Sequence, residues 1–102
     1  MKNKELVKAF KAAKPYLKND LEEFICYSLY QAFSDKKITY QQRDKAIEII
    51  HDRLGNVSNC VSWLRWNIED FDHRWAEDTF EGCEEMRAYR LRWLDSLIEE
   101  FS

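Results

Sequence analysis

Two glycines and one proline are all the strong backbone punctuation in 102 residues. Hairpins need Gly, Asn or Asp at fixed turn positions, and a sandwich needs many of them. Their scarcity argues against an all-β chain and for long helices joined by short loops. Cysteine is also sparse: Cys26, Cys60 and Cys83 are odd in number and form no CxxC pair. That speaks against a disulfide framework and against a zinc ribbon, and each thiol is expected to be reduced and to pack as a small buried hydrophobe. No stretch approaches the roughly 18 apolar residues of a membrane span, and the N-terminus has no apolar signal core. These absences lead to the expectation of a cytoplasmic protein. Catalytic equipment is thin as well. His51 and His73 are the only histidines, neither in an HExxH pattern, and there is no Gly-rich phosphate loop or nucleophile elbow. No catalytic residue, metal ligand or cofactor is therefore assigned, and the chain is not expected to be an enzyme.

Aromatic residues, by contrast, are abundant: four Trp, five Tyr and six Phe. A chain of this length buries only about 60–70% of its unfolded surface, so these rings exceed what the core needs. Some belong at a surface, which is the first sign of an interface. The net charge of −3 is unevenly spread. Residues 1–18 hold six lysines against one acid, and residues 69–102 hold eleven acids against four arginines. Such polarity can steer partners or pair protomers head to tail, so a homo-oligomer is one expectation.

Hydrophobic spacing predicts a single all-α domain over residues 1–102, a compact bundle of four or five helices. A first helix runs over about residues 3–14, with Leu6, Val7, Phe10 and Ala13 inside, and ends or kinks at Pro15. A second starts near Asn19 or Asp20. It carries the stripe Leu21, Phe24, Ile25, Ser28, Leu29, Ala32 and Phe33 and leaves Tyr27 and Tyr30 off it. After a turn over 34–38, Thr39 and Gln42 form a capping box for a third helix. Ala46, Ile47, Ile50 and Leu54 form its inner face, and Gly55 its C-terminal stop. A fourth helix carries Val57, Val61, Leu64, Ile68, Phe71 and Trp75, with Trp63 and Trp66 on another face. A loop over 77–82 precedes a last helix over about 83–100. Met86, Tyr89, Trp93, Leu97 and Phe101 line that helix, with Arg90, Leu94 and Ile98 flanking. Glu99 and Glu100 sit at its negative end, so a lysine of the first helix is expected to meet them.

Several segments carry a resemblance. They are Phe24-Ile25-Cys26-Tyr27-Ser28-Leu29-Tyr30, Lys37-Ile38-Thr39, Arg53-Leu54-Gly55, Val61-Ser62-Trp63-Leu64 and the closing run from Tyr89 to Ile98. Together, over about residues 24–101, they resemble small uncharacterised accessory proteins of tailed bacteriophages and prophages. The resemblance implies a class of job, since such proteins often take over or inhibit host systems, antiviral defence among them. It supplies no functional residues.

Trp, Tyr and Arg are the residues enriched in interface cores. Trp63, Arg65 and Trp66, together with Arg87, Tyr89 and Arg90, are therefore the candidate binding residues, and a host protein is the expected partner. The same arginines and rings could instead grip and stack on a nucleotide-like anionic signal, which makes a sponge for such a signal the second reading. Arg87, Arg90 and Arg92 can also simply pair with Glu84, Glu85 and Asp95 along the helix. A polynucleotide is disfavoured by the acidic balance and a pI near 5.4.

Overall fold

The computed structural model describes residues 2–20, 24–53 and 80–102, and among them every regular element is an α-helix. The helices are α1 (Lys4–Asn19), α2 (Ile25–Ser34), α3 (Tyr40–Arg53) and α4 (Phe80–Phe101). None of them is long and apolar enough to cross a membrane. The fourth predicted helix, with Trp63, Arg65, Trp66 and Cys60, lies outside the described residues, as do Leu54 and Gly55.

α1 starts as its sequence demands: the Asn3 side chain caps it by accepting from the Leu6 N–H at 3.2 Å. It does not stop at Pro15, however, but continues to Asn19. An interior proline costs a helix about 3 kcal/mol. Against that, fully burying one leucine side chain stabilises by roughly 1.5–3 kcal/mol, and Leu17 in the added turn is completely buried. Pro15 itself is exposed, as is Lys11, whose carbonyl loses its helical donor and can turn to water. Further contacts fix the extra turn. The Tyr16 hydroxyl donates to Asp35, and the Lys37 ammonium lies 5.2 Å from the Tyr16 ring centre. Asn19 is thus the last residue of α1 and not the cap of α2, which begins at Ile25 without a side-chain cap.

α2 ends in a Schellman turn. The Lys36 N–H donates to the Phe33 carbonyl and the Lys37 N–H to the Ala32 carbonyl, each at 2.9 Å. Lys36 takes the left-handed backbone this turn needs, at φ 62°. The capping box then opens α3 as expected. The Thr39 N–H donates to Gln42 Oε1 at 2.9 Å, and the Gln42 N–H donates to Thr39 Oγ1 at 3.1 Å. Gln42 is itself buried and donates from its amide to Glu5 on α1.

The last helix is longer than its periodicity suggests. It starts at Phe80, and Gly82, expected in a loop, is buried inside it. Its inner face is also rotated. Met86, Arg90, Leu94, Leu97 and Phe101 are buried, while Tyr89 and Trp93 are only half-buried. These five buried positions recur at i+4, i+4, i+3 and i+4, an unbroken helical stripe that the sequence disguises by placing an arginine in it.

One core joins all four helices: Phe10 and Leu17 from α1, Ile25 and Leu29 from α2, Ala46 and Ile50 from α3, Leu94 and Phe101 from α4. α1 is the central element, packing most extensively on α4 and α2. The Phe10 and Phe101 rings lie 6.4 Å apart. The acidic end of α4 meets a cation, but from α3: Arg53 grips Glu100 with both guanidinium arms. The lysine of α1 that reaches α4 is Lys14, which pairs with Asp95 at 2.7 Å.

Cys26, buried in α2, is a disulfide cysteine whose partner sulfur lies outside the described residues. This corrects the expectation of three reduced thiols. An odd count argues against a framework of several bridges, but it leaves room for a single one.

Candidate functional site

The α2 stripe that builds the core also dictates what α2 shows to solvent. Ile25, Ser28, Leu29 and Ala32 turn inward. Residues three apart stack along a helix surface, so Phe24, Tyr27 and Tyr30 fall in one row that starts at the half-buried Phe24 and runs out to the exposed Tyr27 and Tyr30. Their rings follow one another, with centroids 6.1 Å apart for Phe24 and Tyr27 and 6.5 Å for Tyr27 and Tyr30. The Schellman turn then brings the start of α3 against the end of α2, setting Tyr40 edge-on to Phe33 at 6.2 Å.

Arg43 ties the two helices' rings together. Its guanidinium carbon lies 4.8 Å from the centre of Tyr30, 4.6 Å from Phe33 and 4.5 Å from Tyr40. Asp44 fixes its orientation, accepting from Nε and Nη2 at 3.1 and 3.0 Å. The outcome is a ridge of five rings, three of them gathered around one cation. Its three tyrosines stay open to solvent: Tyr27 at 56%, Tyr30 at 44% and Tyr40 at 56%. Aromatic side chains held this way offer large contact area with little conformational entropy left to lose on binding.

Two further surfaces flank the molecule. Beside the ridge, a hollow of about 560 Å³ is lined by Tyr30, Asp44, Ile47, Glu48, His51 and Asp52. Over α1 and the end of α4 lies a groove of about 600 Å³ in which Lys2, Lys4, Lys8 and Lys11 surround Val7 and Phe101.

The candidates read from the sequence are distributed differently. Of the six, the described residues include Arg87, Tyr89 and Arg90, all on α4. Arg87 donates to the Lys18 carbonyl at 3.1 Å and approaches Glu84 at 3.8 Å, the i, i+3 pairing that its spacing offers. Arg90 is 3% exposed and faces Phe24, its guanidinium 5.8 Å from the ring centre. Tyr89 is half-buried against the core, with Arg92 6.0 Å from its ring centre. Tyr27 and Tyr30 stand out in the sequence as rings off the α2 stripe, and they are exposed. Arg43 and Tyr40 do not stand out there, because they join the ridge only across the turn. Their one signal in the sequence is a Phe before a capping box, a Tyr inside it and an Arg just after it. Among the described residues, no group of carboxylates, cysteines and histidines is gathered for a metal. No protein-family model, no curated protein and no solved structure matches the chain.

Proposed function

We propose that the chain is a binding protein of the phage accessory kind that inhibits a bacterial protein by covering part of its surface. The tyrosine ridge of α2 and α3 is the contact face. The observation that carries this reading is the ridge itself: three tyrosines are 44–56% exposed, two of them against a fixed arginine. Tyr and Arg are the residue types that dominate binding energy at protein interfaces. A monomer with no use for them would be expected to bury such rings or replace them with polar residues. The host target, with antiviral defence as one such system, follows from the sequence resemblance.

The test is the double variant Tyr27→Ala/Tyr30→Ala. The wild-type chain is used to capture its target from bacterial lysate, the target is identified by mass spectrometry, and both forms are titrated against it. Surface changes are usually within about 0.5 kcal/mol of stability, so the variant should keep its helicity and melt within a few degrees of wild type. Its affinity should fall by roughly 30-fold or more, the scale of a hot spot of about 2 kcal/mol. A destabilised variant with unchanged affinity would refute the assignment, and so would a nucleotide-like molecule carried through purification in place of a protein.

A further inference from the structure

The groove over α1 and the hollow on α3 match each other in three respects. Their volumes are close, about 600 and 560 Å³. Each has an apolar floor, Val7 and Phe101 in one, Ile47 and Tyr30 in the other. The rims carry opposite charge: Lys2, Lys4, Lys8 and Lys11 around the groove, and Asp44, Glu48 and Asp52 around the hollow. Among the described residues Asp44 is held by Arg43, but no salt bridge engages any of the four lysines, Glu48 or Asp52. Both surfaces are therefore charged and exposed, with most of their rim charges outside any salt bridge among the described residues, and they use different residues of one chain.

We propose that the lysine groove of one copy receives the carboxylate hollow of a second copy, so that the chain associates with itself head to tail. Docking would set apolar floor against apolar floor and lysine rim against carboxylate rim, the arrangement that gives an interface both register and a fast encounter. A net charge of only −3 puts little general repulsion between copies. Other occupants fit the groove less well. Its ring, Phe101, is 3% exposed and so offers no stacking platform for a nucleobase. The apolar face of α1 is spent on the core, with Phe10, Ala13 and Leu17 fully buried, and so is not free to enter a lipid surface. Because groove and hollow are different surfaces, the contact is heterologous. It leaves one unfilled surface of each kind at the ends and closes only as a ring, or else extends as an open chain.

The inference stands apart from the tyrosine ridge, sharing Tyr30 and Asp44 with it, and the test uses residues outside the ridge. Lys8, Lys11, Glu48 and Asp52 are all exposed, so reversing them should leave the fold intact. Sedimentation velocity over a concentration series is run on the wild type, on Lys8→Glu/Lys11→Glu, on Glu48→Lys/Asp52→Lys, and on an equimolar mixture of the two variants. At about 0.1 M salt, where charges act over roughly 10 Å, the wild type should rise above the 12.4 kDa monomer with concentration. At about 1 M salt, where that range is roughly 3 Å, it should return to the monomer. Each charge-reversal variant alone should stay monomeric, because the first cancels the groove's charge, with two lysines left against two new glutamates, and the second turns the hollow basic like the groove. The mixture should associate again, each variant supplying the complement of the other. Tyr27→Ala/Tyr40→Ala should associate like wild type. A wild type that is monomeric throughout at low salt, a mixture that stays monomeric, or a loss of association in the tyrosine variant would each overturn the proposal.

Discussion

Lys36 bears a cost that a single substitution can remove. It holds the left-handed position of the turn after α2, where a Cβ costs roughly 1–2 kcal/mol. Glycine avoids that clash but loses about 0.5–1 kcal/mol in extra chain entropy. Lys36→Gly should therefore stabilise the protein by about 0.5–1 kcal/mol in denaturant titration, and an unchanged or lowered midpoint would show that the lysine side chain has a compensating role. Individual residues are legible in the sequence wherever their partners are near in the chain. Thr39 and Gln42 pair over three residues, so their capping box can be read from spacing alone. Tyr27 and Tyr30 are readable as rings off a stripe for the same reason. Arg90 is not, because a charged residue is read as outward unless something distant encloses it. Here that enclosure includes Phe24, 66 positions earlier. Arg43 is hidden on the same ground, since two of the three rings around it belong to another helix.

At the scale of elements, local rules place the helices but misjudge their ends. Pro15 is a strong stop signal on local grounds, and it loses to the buried Leu17 and the contacts of Tyr16, which exist only once α2 and α4 have packed. Gly82 is likewise a weak helix former that burial inside α4 overrides. The junction of α3 with the end of α4 rests on a contact that pH can probe. The Glu100 carboxyl is held below its usual range, first by its hydrogen bonds from Arg53 and then by the charge attraction, with burial opposing. A lowered carboxyl contributes stability above its unfolded value, near 4.5, and the contribution is lost as pH falls through the folded value. At neutral pH, Glu100→Gln should thus melt below wild type. The gap should close on acidification into and below the carboxylate range, and it should shrink in high salt because the pair is partly exposed. A gap that stays constant across that range would mean the ion pair contributes nothing and the substitution acts otherwise.

The molecule as a whole is legible as an all-α bundle, because scarce glycine and a strong helical period leave few alternatives. Its redox state is not, since pairing of thiols depends on tertiary placement and not on count. With Cys26 in a disulfide, denatured, unreduced protein should yield one titratable thiol per chain from its three cysteines, rising to three after reduction. Three without reduction would mean that all the thiols are reduced. The candidate site is half legible for a similar reason: the rings of α2 are in view, while the cation that locks them arrives with α3. A different consequence follows from the backbone hydrogen bond between the Asn3 N–H and the Phe101 carbonyl, 2.8 Å long. Helical bundles ordinarily fold fast because their contacts are local. Here α1 packs on α4 as extensively as on its sequence neighbour α2, and the 91 positions between Phe10 and Phe101 must be looped before those two rings can meet. The entropy of closing so large a loop grows only slowly with its length, so the penalty falls on timing more than on stability. During synthesis the side of α1 that meets α4 stays uncovered until α4 has emerged, which leaves the nascent chain open to aggregation over that interval.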